Sequence, residues 1–392
     1  MRNAVIVDAV RTPMGRGKAT GAFADVHPIS LLSTVFASLI DRTGLDPSLV
    51  NDVLVGCVSQ SGEQSSTPGR QAWLGAGLPE SVPSVTIERK CGSGQQAVDF
   101  AAQGIISGAY DVAIAAGLES MSRVPMGSAR VGKDPYGPEM TRRYPDLVSQ
   151  GVAAELVADK WGLSRSQLDD YAARSHRRAA VIATAGGFAG EITPVHSDRL
   201  TVEADETIRP STTTEALAQL SPVFGTDAMR ERLPHIEWKI TAGNSSQITD
   251  GASGLLLMSE ERARELGLRA RARIVASAVC ADDPVFMLTA PIPATRQVLT
   301  RARLSLDQID VAEVNEAFAS VPLAWQSEFP IPDGKLNPRG GAIALGHPLG
   351  ASGCRLMTTM LSHLEQTGGR YGLQTMCEAG GMANATIIEI VR

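Results

Sequence analysis

The sequence predicts an α/β protein made of two similar halves, with an inserted sub-domain that is mainly helical and irregular. Three observations lead to this prediction. Strand-like and helix-like runs alternate towards both ends of the chain, two distant segments match at a constant offset, and the stretch between them differs in composition. A chain of 392 residues with 43% hydrophobic residues is long enough to bury the cores of two or three such units.

The repeat is seen first in residues 45–56, which resemble residues 304–315 at an offset of 259, from Leu45 to Leu304. The same offset places residues 91–94 (CGSG) on 350–353 (GASG), and the strand-like residues 111–116 on 370–375. Strands that alternate with helices imply parallel strands with helices on both faces of the sheet. Chance similarity between two α/β halves is the alternative, but an offset shared by three elements favours duplication.

The stretch between the halves has few β-branched runs and many basic residues. Within it, Ser164-Arg165-Ser166-Gln167 forms a capping box, which predicts a helix running towards Ala185. The basic side chains either form a solvated face or suit a polyanionic ligand such as a phosphate-bearing cofactor. They include Arg123, Arg130, Lys133, Arg142, Arg143, Arg165, Arg174, Arg177, Arg178, Arg199 and Arg209.

Composition and charge exclude several classes of function. The net charge of −6 disfavours nucleic acid as a partner, and no apolar run of about 18 residues predicts a membrane span. The N-terminus lacks the apolar stretch and cleavage site of a secretory signal. The five cysteines are scattered without a CxxC pair, so neither a disulfide framework nor a zinc site is expected. Cys57, Cys280 and Cys354 are predicted to be small buried hydrophobes.

Cys91 is the first candidate for chemistry. Residues 84–90 read as a strand, and Gly92-Ser93-Gly94 then turns the chain into a helix over residues 95–106. The free N–H groups and the dipole of a helix start favour a thiolate, which is the reactive form of cysteine. A buried structural cysteine at a tight strand–helix junction is the alternative interpretation.

His347 lies in the corresponding place of the second half, in the glycine-rich run 340–353. An imidazole there could act as general base towards a thiol, provided that equivalent helix starts of the two halves meet. A structural histidine is the alternative. The run lacks the spacing G-x-G-x-x-G and the sequence Gly-Lys-Ser/Thr, so a dinucleotide or P-loop site is rejected.

Cys377 and Asn315 each follow or end a strand-like run. Cys377 is predicted at the carboxyl end of its strand, where open α/β sheets place ligands. The glycine pair that follows, Gly380-Gly381, could expose backbone N–H groups as an oxyanion hole requires. Asn315 could orient a water or a base, or simply cap a helix.

These residues lie in blocks that resemble the four signatures of the thiolase family. The blocks are CGSG at Cys91, NEAF at Asn315, GHPLGASG around His347, and the final Cys-x-x-Gly-Gly at Cys377. The resemblance covers essentially the whole chain and extends to residues 8–13 and 241–246. It implies duplicated βαβαβαββ halves that pack as five layers in the order α-β-α-β-α, with an inserted loop domain that binds coenzyme A.

The domain bounds expected from this resemblance are 1–121 for the N-terminal half, 122–245 for the loop domain and 246–392 for the C-terminal half. Residues 246–268 are expected to return to the N-terminal half. Coenzyme A would act as a co-substrate, and neither a permanently bound cofactor nor a metal is expected.

The resemblance also implies a role for each matched position. Cys91 would carry the acyl group as a thioester, His347 would deprotonate Cys91, and Cys377 would move the proton at the α-carbon of the acetyl unit. Asn315 would hold a water that forms one oxyanion hole together with His347, and the backbone N–H groups of Cys91 and Ala379 would form the other. The expected contacts with coenzyme A or substrate are Ser246, Phe224, Met287, Phe318 and Arg209.

The sequence departs from the family pattern at three places. Ala379 stands where a glycine is usual, so a methyl group enters the second anion site. Ser149-Gln150 replaces the His-Met of synthetic thiolases, and Gln95 replaces a common leucine. These departures favour a degradative enzyme with a long, unusual or bulky acyl chain.

The resemblance therefore implies an acetyl-CoA C-acyltransferase of lipid metabolism that cleaves 3-ketoacyl-CoA, as in fatty acid β-oxidation. It is expected to be cytoplasmic and to form a homodimer or homotetramer. The alternatives are an acetyl-CoA acetyltransferase that forms acetoacetyl-CoA, and a non-catalytic acyl-CoA or lipid-binding protein. A decarboxylating condensing enzyme would need a histidine or asparagine in place of Cys377.

Overall fold

The computed structural model describes residues 2–196 and 201–391. Arg199, one of the basic residues singled out above, lies outside the described residues. The strands are β1 (Ala4–Arg11), β2 (Gly15–Arg16), β3 (Asp52–Gly56), β4 (Ser84–Ile87), β5 (Val112–Ser120), β6 (Val195–His196), β7 (Thr201–Val202), β8 (Thr249–Ser259), β9 (Ala272–Ala281), β10 (Val311–Val314), β11 (Tyr371–Glu378) and β12 (Met382–Ile390).

The α-helices occupy both terminal parts of the chain and much of the segment between them. They are α1 (Pro28–Thr43), α2 (Pro68–Gly75), α3 (Ser93–Ser107), α4 (Gly137–Arg143), α5 (Gln150–Lys160), α6 (Arg165–Thr184), α7 (Thr214–Ala218), α8 (Asp227–Arg232), α9 (Glu260–Glu265), α10 (Pro291–Ala302), α11 (Ser320–Glu328), α12 (Ala342–Leu345) and α13 (Leu349–Thr367).

The strands of the two halves join into one mixed sheet, in the order β10-β11-β12-β9-β1-β8-β5-β3-β4, with β2 beside β8. The junction between the halves is narrow, since β1 meets β9 only through the pairs Val5↔Arg273 and Ile6↔Ala272. Strand β8 follows the insertion and pairs with both β1 and β5.

The prediction of parallel strands is wrong for part of this sheet. Strand β3 runs parallel to β4 and β5, and β10 runs parallel to β11, as βαβ connections require. The remaining pairs are antiparallel. The tight turn between β11 and β12 forces one of these reversals. Strand β8 is antiparallel to both of its long neighbours, and its long connection through the insertion leaves either direction open.

Helices cover both outer faces of the sheet and fill the space between its two halves. Helices α1 and α2 pack on the outer face of the N-terminal half, and α10 and α11 on the outer face of the C-terminal half. Helices α3 and α13 pack against each other and contact strands of both halves. The layers therefore follow the order α-β-α-β-α, and the innermost layer brings together the helix starts that carry the predicted chemistry.

Several local predictions are confirmed. Ser164 and Gln167 form the reciprocal capping box at the start of α6, and that helix ends with Ala185 as its C-cap. Helix α3 begins two residues earlier and ends one residue later than predicted. The strand before it ends at Ile87, three residues earlier than the predicted end at residue 90. In the described part of the chain, no helix is both long and apolar enough to cross a membrane.

Two of the three cysteines assigned to the core are buried, and one is not. Cys57 and Cys354 are buried as predicted, whereas Cys280 is only partly buried. Cys280 lies in β9, with its sulfur 3.6 Å from the carbonyl oxygen of Ala290. The prediction for Cys280 as a fully buried side chain is therefore wrong.

Candidate active site

The starts of α3 and α13 meet so closely that only glycine fits between them. A Cβ atom on Gly94 would lie 2.6 Å from the carbonyl oxygen of Gly350, and one on Gly353 would lie 2.1 Å from the backbone nitrogen of Gln95. Real side chains do not tolerate such contacts with backbone atoms. The two glycine-rich runs therefore bring the segment that contains Cys91 against the segment that contains His347.

His347 is held in one orientation by the helix α13 that follows it. Its Nδ1 atom lies 2.6 Å from Ser352 Oγ, and that hydroxyl donates to the carbonyl oxygen of Pro348 at 2.9 Å. Since the hydroxyl proton is committed, we assign the ring proton to Nδ1, which leaves Nε2 as an acceptor. Burial, together with the nearby guanidinium of Arg355, lowers the pKa of His347 to about 3. The ring is therefore neutral at pH 7, as a general base must be.

Asn315 connects this imidazole to the second cysteine. Its Nδ2 atom lies 3.4 Å from His347 Nε2 and 3.9 Å from Cys377 Sγ. Its Oδ1 atom is buried and makes no hydrogen bond among the described residues. Strands β10 and β11 run parallel, so their carboxyl ends place Asn315 and Cys377 side by side.

Cys377 has an environment that keeps it protonated. Burial raises its pKa to about 12; the side chain of Asn315 opposes this rise, and Glu378 adds to it. A thiol that rests protonated next to an amide donor can give up and take back a proton during a reaction. Cys377 therefore rests as a thiol rather than as a thiolate.

Cys91 is 4% exposed and packs with Met121, Leu349 and Met376. Burial raises its pKa well above the ordinary range; Cys377 and Glu378 raise it further, and a hydrogen bond from Gln150 opposes the rise. The loss of hydration therefore outweighs the helix start, so the thiolate that the helix start favours is not the resting form. Cys91 rests as a thiol and needs a base.

The turn after Cys377 carries the residue that departs from the family pattern. The residues with left-handed backbone are Gly380 (φ 93°) and Gly381 (φ 78°), and Ala379 is not among them. Alanine is thus accommodated at Ala379 without backbone strain, and only its methyl group is new. Ala379 is partly exposed, at the wall of a cavity.

This cavity has a volume of about 680 Å³ and is bounded mainly by the segment between the halves. A ligand-binding cavity is typically about 300–1,000 Å³, so this one is large enough for a bulky acyl chain. Its walls are formed by Arg130, Tyr136, Thr141, Tyr144, Pro145, Leu147, Val148, Ser149, Gln150, Val152, Val223, Phe224, Thr226, Met229, Arg232, Met287 and Ala379.

The sequence-predicted binding residues divide between two places. Phe224 and Met287 line the cavity, and Phe318 stacks edge-to-face against Phe224 with 6.0 Å between ring centroids. Ser246 does not line the cavity itself, and its backbone N–H donates to the carbonyl oxygen of Ala317, the residue before Phe318, at 2.9 Å. Arg209 is exposed and donates to Gln247 Oε1 at 3.0 Å, so it lies next to Ser246 in the chain's fold and not at the cavity.

Many basic residues of the insertion are committed to protein partners. Arg123 pairs with Glu63, Arg165 with Asp169, and Arg174 with Asp333, while Arg178 donates to the carbonyl oxygens of Leu336 and Asp333. Arg130 differs, because it lines the cavity. Fewer basic side chains are therefore available to bind a polyanionic ligand than the sequence suggested.

Two residues at the site were not assigned a role from the sequence. Ser352 orients His347, and Gln150 reaches Cys91 from the start of α5. Ser352 could have been noticed from its spacing of five residues after His347 on a helix start. Gln150 lies in a different segment of the chain, and no local pattern connects it to Cys91.

In residues 2–196 and 201–391, no group of three or more histidine, cysteine, aspartate or glutamate side chains is arranged to hold a metal ion.

Two family models match almost the whole chain: the thiolase N-terminal domain over residues 4–261 and the thiolase C-terminal domain over residues 268–390.

This chain belongs to the thiolase family.

It is therefore an acyltransferase, and the proteins that it resembles include 3-ketoacyl-CoA thiolases. It is 47% identical to the steroid 3-ketoacyl-CoA thiolase of Mycobacterium tuberculosis, over 99% of this chain and 94% of that protein. It is 43% identical to a 3-ketoacyl-CoA thiolase of Serratia proteamaculans, over the full length of both. The crystal structure of the Bacillus anthracis acetyl-CoA acetyltransferase superposes with a TM-score of 0.88 at 35% identity, covering 100% of this chain and 99% of that one. The thiolase fold expected from the sequence is thus confirmed.

Proposed function

We propose that this thiolase cleaves 3-ketoacyl-CoA with free coenzyme A, in the degradative direction, through an acyl thioester on Cys91. The observation that carries the proposal is the position of Asn315 Nδ2, 3.4 Å from His347 Nε2 and 3.9 Å from Cys377 Sγ. A neutral base, an amide donor and a protonated thiol are thereby grouped beside a buried cysteine. The names of the relatives support the same reaction.

In the first half-reaction His347 takes the proton of Cys91, and the thiolate attacks the 3-keto carbon. The tetrahedral intermediate collapses, and the bond between C2 and C3 breaks. The acyl part stays on Cys91 as a thioester, and the electron pair of the broken bond leaves as the enolate of acetyl-CoA. Cys377 gives this enolate a proton at its α-carbon, which releases acetyl-CoA.

In the second half-reaction coenzyme A attacks the thioester. Cys377, now a thiolate, accepts the proton of the coenzyme A thiol, and Cys91 leaves as a thiolate that recovers its proton from His347. Both half-reactions create a negative oxygen, so two anion sites are required. We assign one to a water held by Asn315 together with His347, and the other to the backbone N–H groups of Cys91 and Ala379.

The acyl chain would occupy the cavity of about 680 Å³. Phe224 and Met287 would contact it directly, with Phe318 supporting Phe224 from behind. The volume and the aromatic walls support a bulky, polycyclic acyl group, as does the similarity to the steroid 3-ketoacyl-CoA thiolase of Mycobacterium tuberculosis. Ser246 would contact the pantetheine arm, and Arg209 would contact a polar part of coenzyme A from the neighbouring loop.

We further propose the division into residues 1–121, 122–245 and 246–392, with 246–268 assigned to the N-terminal half. The pairing of β8 with β1 and β5 supports this return. A homodimer or homotetramer is supported by β4, which ends the sheet and exposes 43% of Val85. We also propose a cytoplasmic location.

The decisive experiment is thiolysis of a graded panel of 3-ketoacyl-CoA esters, from acetoacetyl-CoA to polycyclic side chains, followed by mass spectrometry. We expect acetyl-CoA and a shortened acyl-CoA, with the highest kcat/KM for a bulky substrate. Brief incubation without coenzyme A should add one acyl mass to the peptide that contains Cys91, and Cys91→Ser should remove most activity. Acylation of another cysteine, with Cys91 untouched, would contradict the mechanism.

A further inference from the structure

Glu378 lies between Cys377 and Ala379, and its carboxyl group packs directly behind the nucleophile. A Cβ atom on Gly92 would lie 1.9 Å from Glu378 Oε1 and 2.3 Å from Asn384 Oδ1. Gly92 follows Cys91 and is the N-cap of α3. Glu378 therefore lies against the backbone that fixes Cys91, and it is not among the residues that line the cavity.

The carboxyl group lacks the contacts that an ionised buried carboxylate needs. Both oxygens of Glu378 are buried, and the only hydrogen bond that favours their charged form in the described part of the chain comes from the backbone N–H of Asn384. Asp99 Oδ2 and both polar atoms of the Asn384 side chain are also buried without a partner there. Asp99 Oδ1 accepts a hydrogen bond of 2.7 Å from Thr386. A buried charge without such bonds is strongly unfavourable, whereas a protonated carboxyl has a proton to donate to a neighbouring acceptor.

The charged and titratable groups around Glu378 come from four elements. They are Glu88 and Arg89 before α3, Cys91 at the start of α3, Asp99 within α3, Cys377 in β11 and Cys280 in β9. Burial raises the pKa of Glu378 to about 8; Arg89 opposes the rise, and Asp99 adds to it. Burial also raises the pKa of Asp99 to about 7, against the effects of Thr386 and Arg89.

An ionised Glu378 would compete with Cys91 for the same helix start. The free N–H groups of α3 stabilise one negative charge well, and a second charge nearby repels the first. After burial, Glu378 is among the causes that raise the pKa of both Cys91 and Cys377. A neutral Glu378 leaves the positive end of α3 to the charge that forms on sulfur.

We propose that Glu378 is a positioning residue that acts as a neutral carboxylic acid behind Cys91, and that its ionisation sets the alkaline limit of the reaction. This inference rests on the proposed function of Cys91. Below pH 8 the acid is neutral and the thiolate of Cys91 forms at its lowest cost. Above pH 8 most Glu378 side chains are ionised. The fraction of Glu378 that stays neutral then falls about tenfold for each pH unit.

The test compares the wild-type enzyme with Glu378→Gln, which is permanently neutral and nearly isosteric. Single-turnover acylation of Cys91 and alkylation of Cys91 by iodoacetamide are measured from pH 6 to pH 10, with the modified peptide identified by mass. We expect rates within about twofold at pH 7. At pH 9 we expect the variant to exceed the wild type by several-fold, up to about tenfold.

Glu313→Gln is the matched control. Glu313 is also fully buried, burial also raises its pKa to about 8, and both of its oxygens lack a partner among the described residues. Glu313 is not among the groups that shift the pKa of Cys91 or Cys377. Its replacement should leave the rates of Cys91 acylation and alkylation above pH 8 as they are in the wild type.

Asp99→Asn provides a second variant with an effect of opposite sign. Removing the neighbouring charge should lower the pKa of Glu378 and move the alkaline fall to lower pH, and this variant decides the question if Glu378→Gln does not fold. Profiles that coincide in all folded variants overturn the inference while leaving the acyl enzyme intact. A wild-type enzyme that forms no acyl-Cys91 at any pH overturns the proposed function instead.

Discussion

Replacing Gly353 by alanine tests whether the contact between α3 and α13 builds the active site. The new Cβ atom would lie 2.1 Å from Gln95 N, which is 1.3 Å short of the ordinary contact distance of 3.4 Å. The obstacle is backbone, so α13 must move away from α3 by an amount of that order. Overpacking of this kind costs up to about 3 kcal/mol, and the helix propensity of alanine returns about 1 kcal/mol. We expect a net loss of about 2 kcal/mol in the free energy of unfolding.

The functional effect should exceed the effect on stability. A shift of about 1 Å between catalytic groups lowers a rate by about 10²-fold, so the acylation of Cys91 by substrate, with His347 as the base, should slow by that factor even in folded protein. Urea denaturation gives the first quantity, and single-turnover acylation gives the second. Gly190→Ala is the control, because a Cβ atom there meets nothing within 4 Å. A Gly353→Ala enzyme with wild-type stability and wild-type acylation would refute the reasoning.

Three further predictions concern individual side chains. Cys377→Ala should abolish exchange of the α-protons of acetyl-CoA in D₂O yet leave acyl transfer to Cys91 measurable; exchange at the wild-type rate would contradict the two-cysteine mechanism. His347→Ala should slow acylation by about two to four orders of magnitude and slow alkylation of Cys91 at pH 7, whereas unchanged alkylation with lost turnover would leave His347 only an oxyanion role. Because burial raises the pKa of Glu313 from 4.5 to about 8, its contribution to stability is complete below pH 4.5 and is lost as pH rises through 8. The free energy of unfolding should therefore fall over this window by urea titration, and Glu313→Gln should flatten the fall.

Local sequence patterns predicted the structural features that are determined by a few neighbouring residues. The turn CGSG places Cys91 at a helix start, and β11 places Cys377 near its carboxyl end, since a turn and a strand end are each fixed by a few neighbouring residues. The five layers were expected only through the family resemblance. The antiparallel strands were missed, because the return of β8 depends on where a long insertion ends.

The electrostatics of the site could not be predicted from the sequence. The helix start of α3 suggested a thiolate at Cys91, but burial has the larger effect, and burial depends on packing by Leu349 and Met376 from the other half of the chain. The approach of Gln150 has the same origin, because α5 lies in the insertion. Charge and distance between remote segments are properties of the fold and leave no periodic signal in the sequence.

The narrow junction at β1 has a consequence for how the protein is made. Strand β1 is near the amino terminus and central in the sheet, yet its neighbours are β8 and β9, which begin at Thr249 and Ala272. During synthesis, β1 leaves the ribosome long before β8 and β9 and therefore has no edge to join until they follow. Such distant pairing makes folding slow and leaves an apolar strand exposed meanwhile. We expect nascent chains that stop before β8 to depend on chaperones, and chains that stop after β9 to be the first to resist protease.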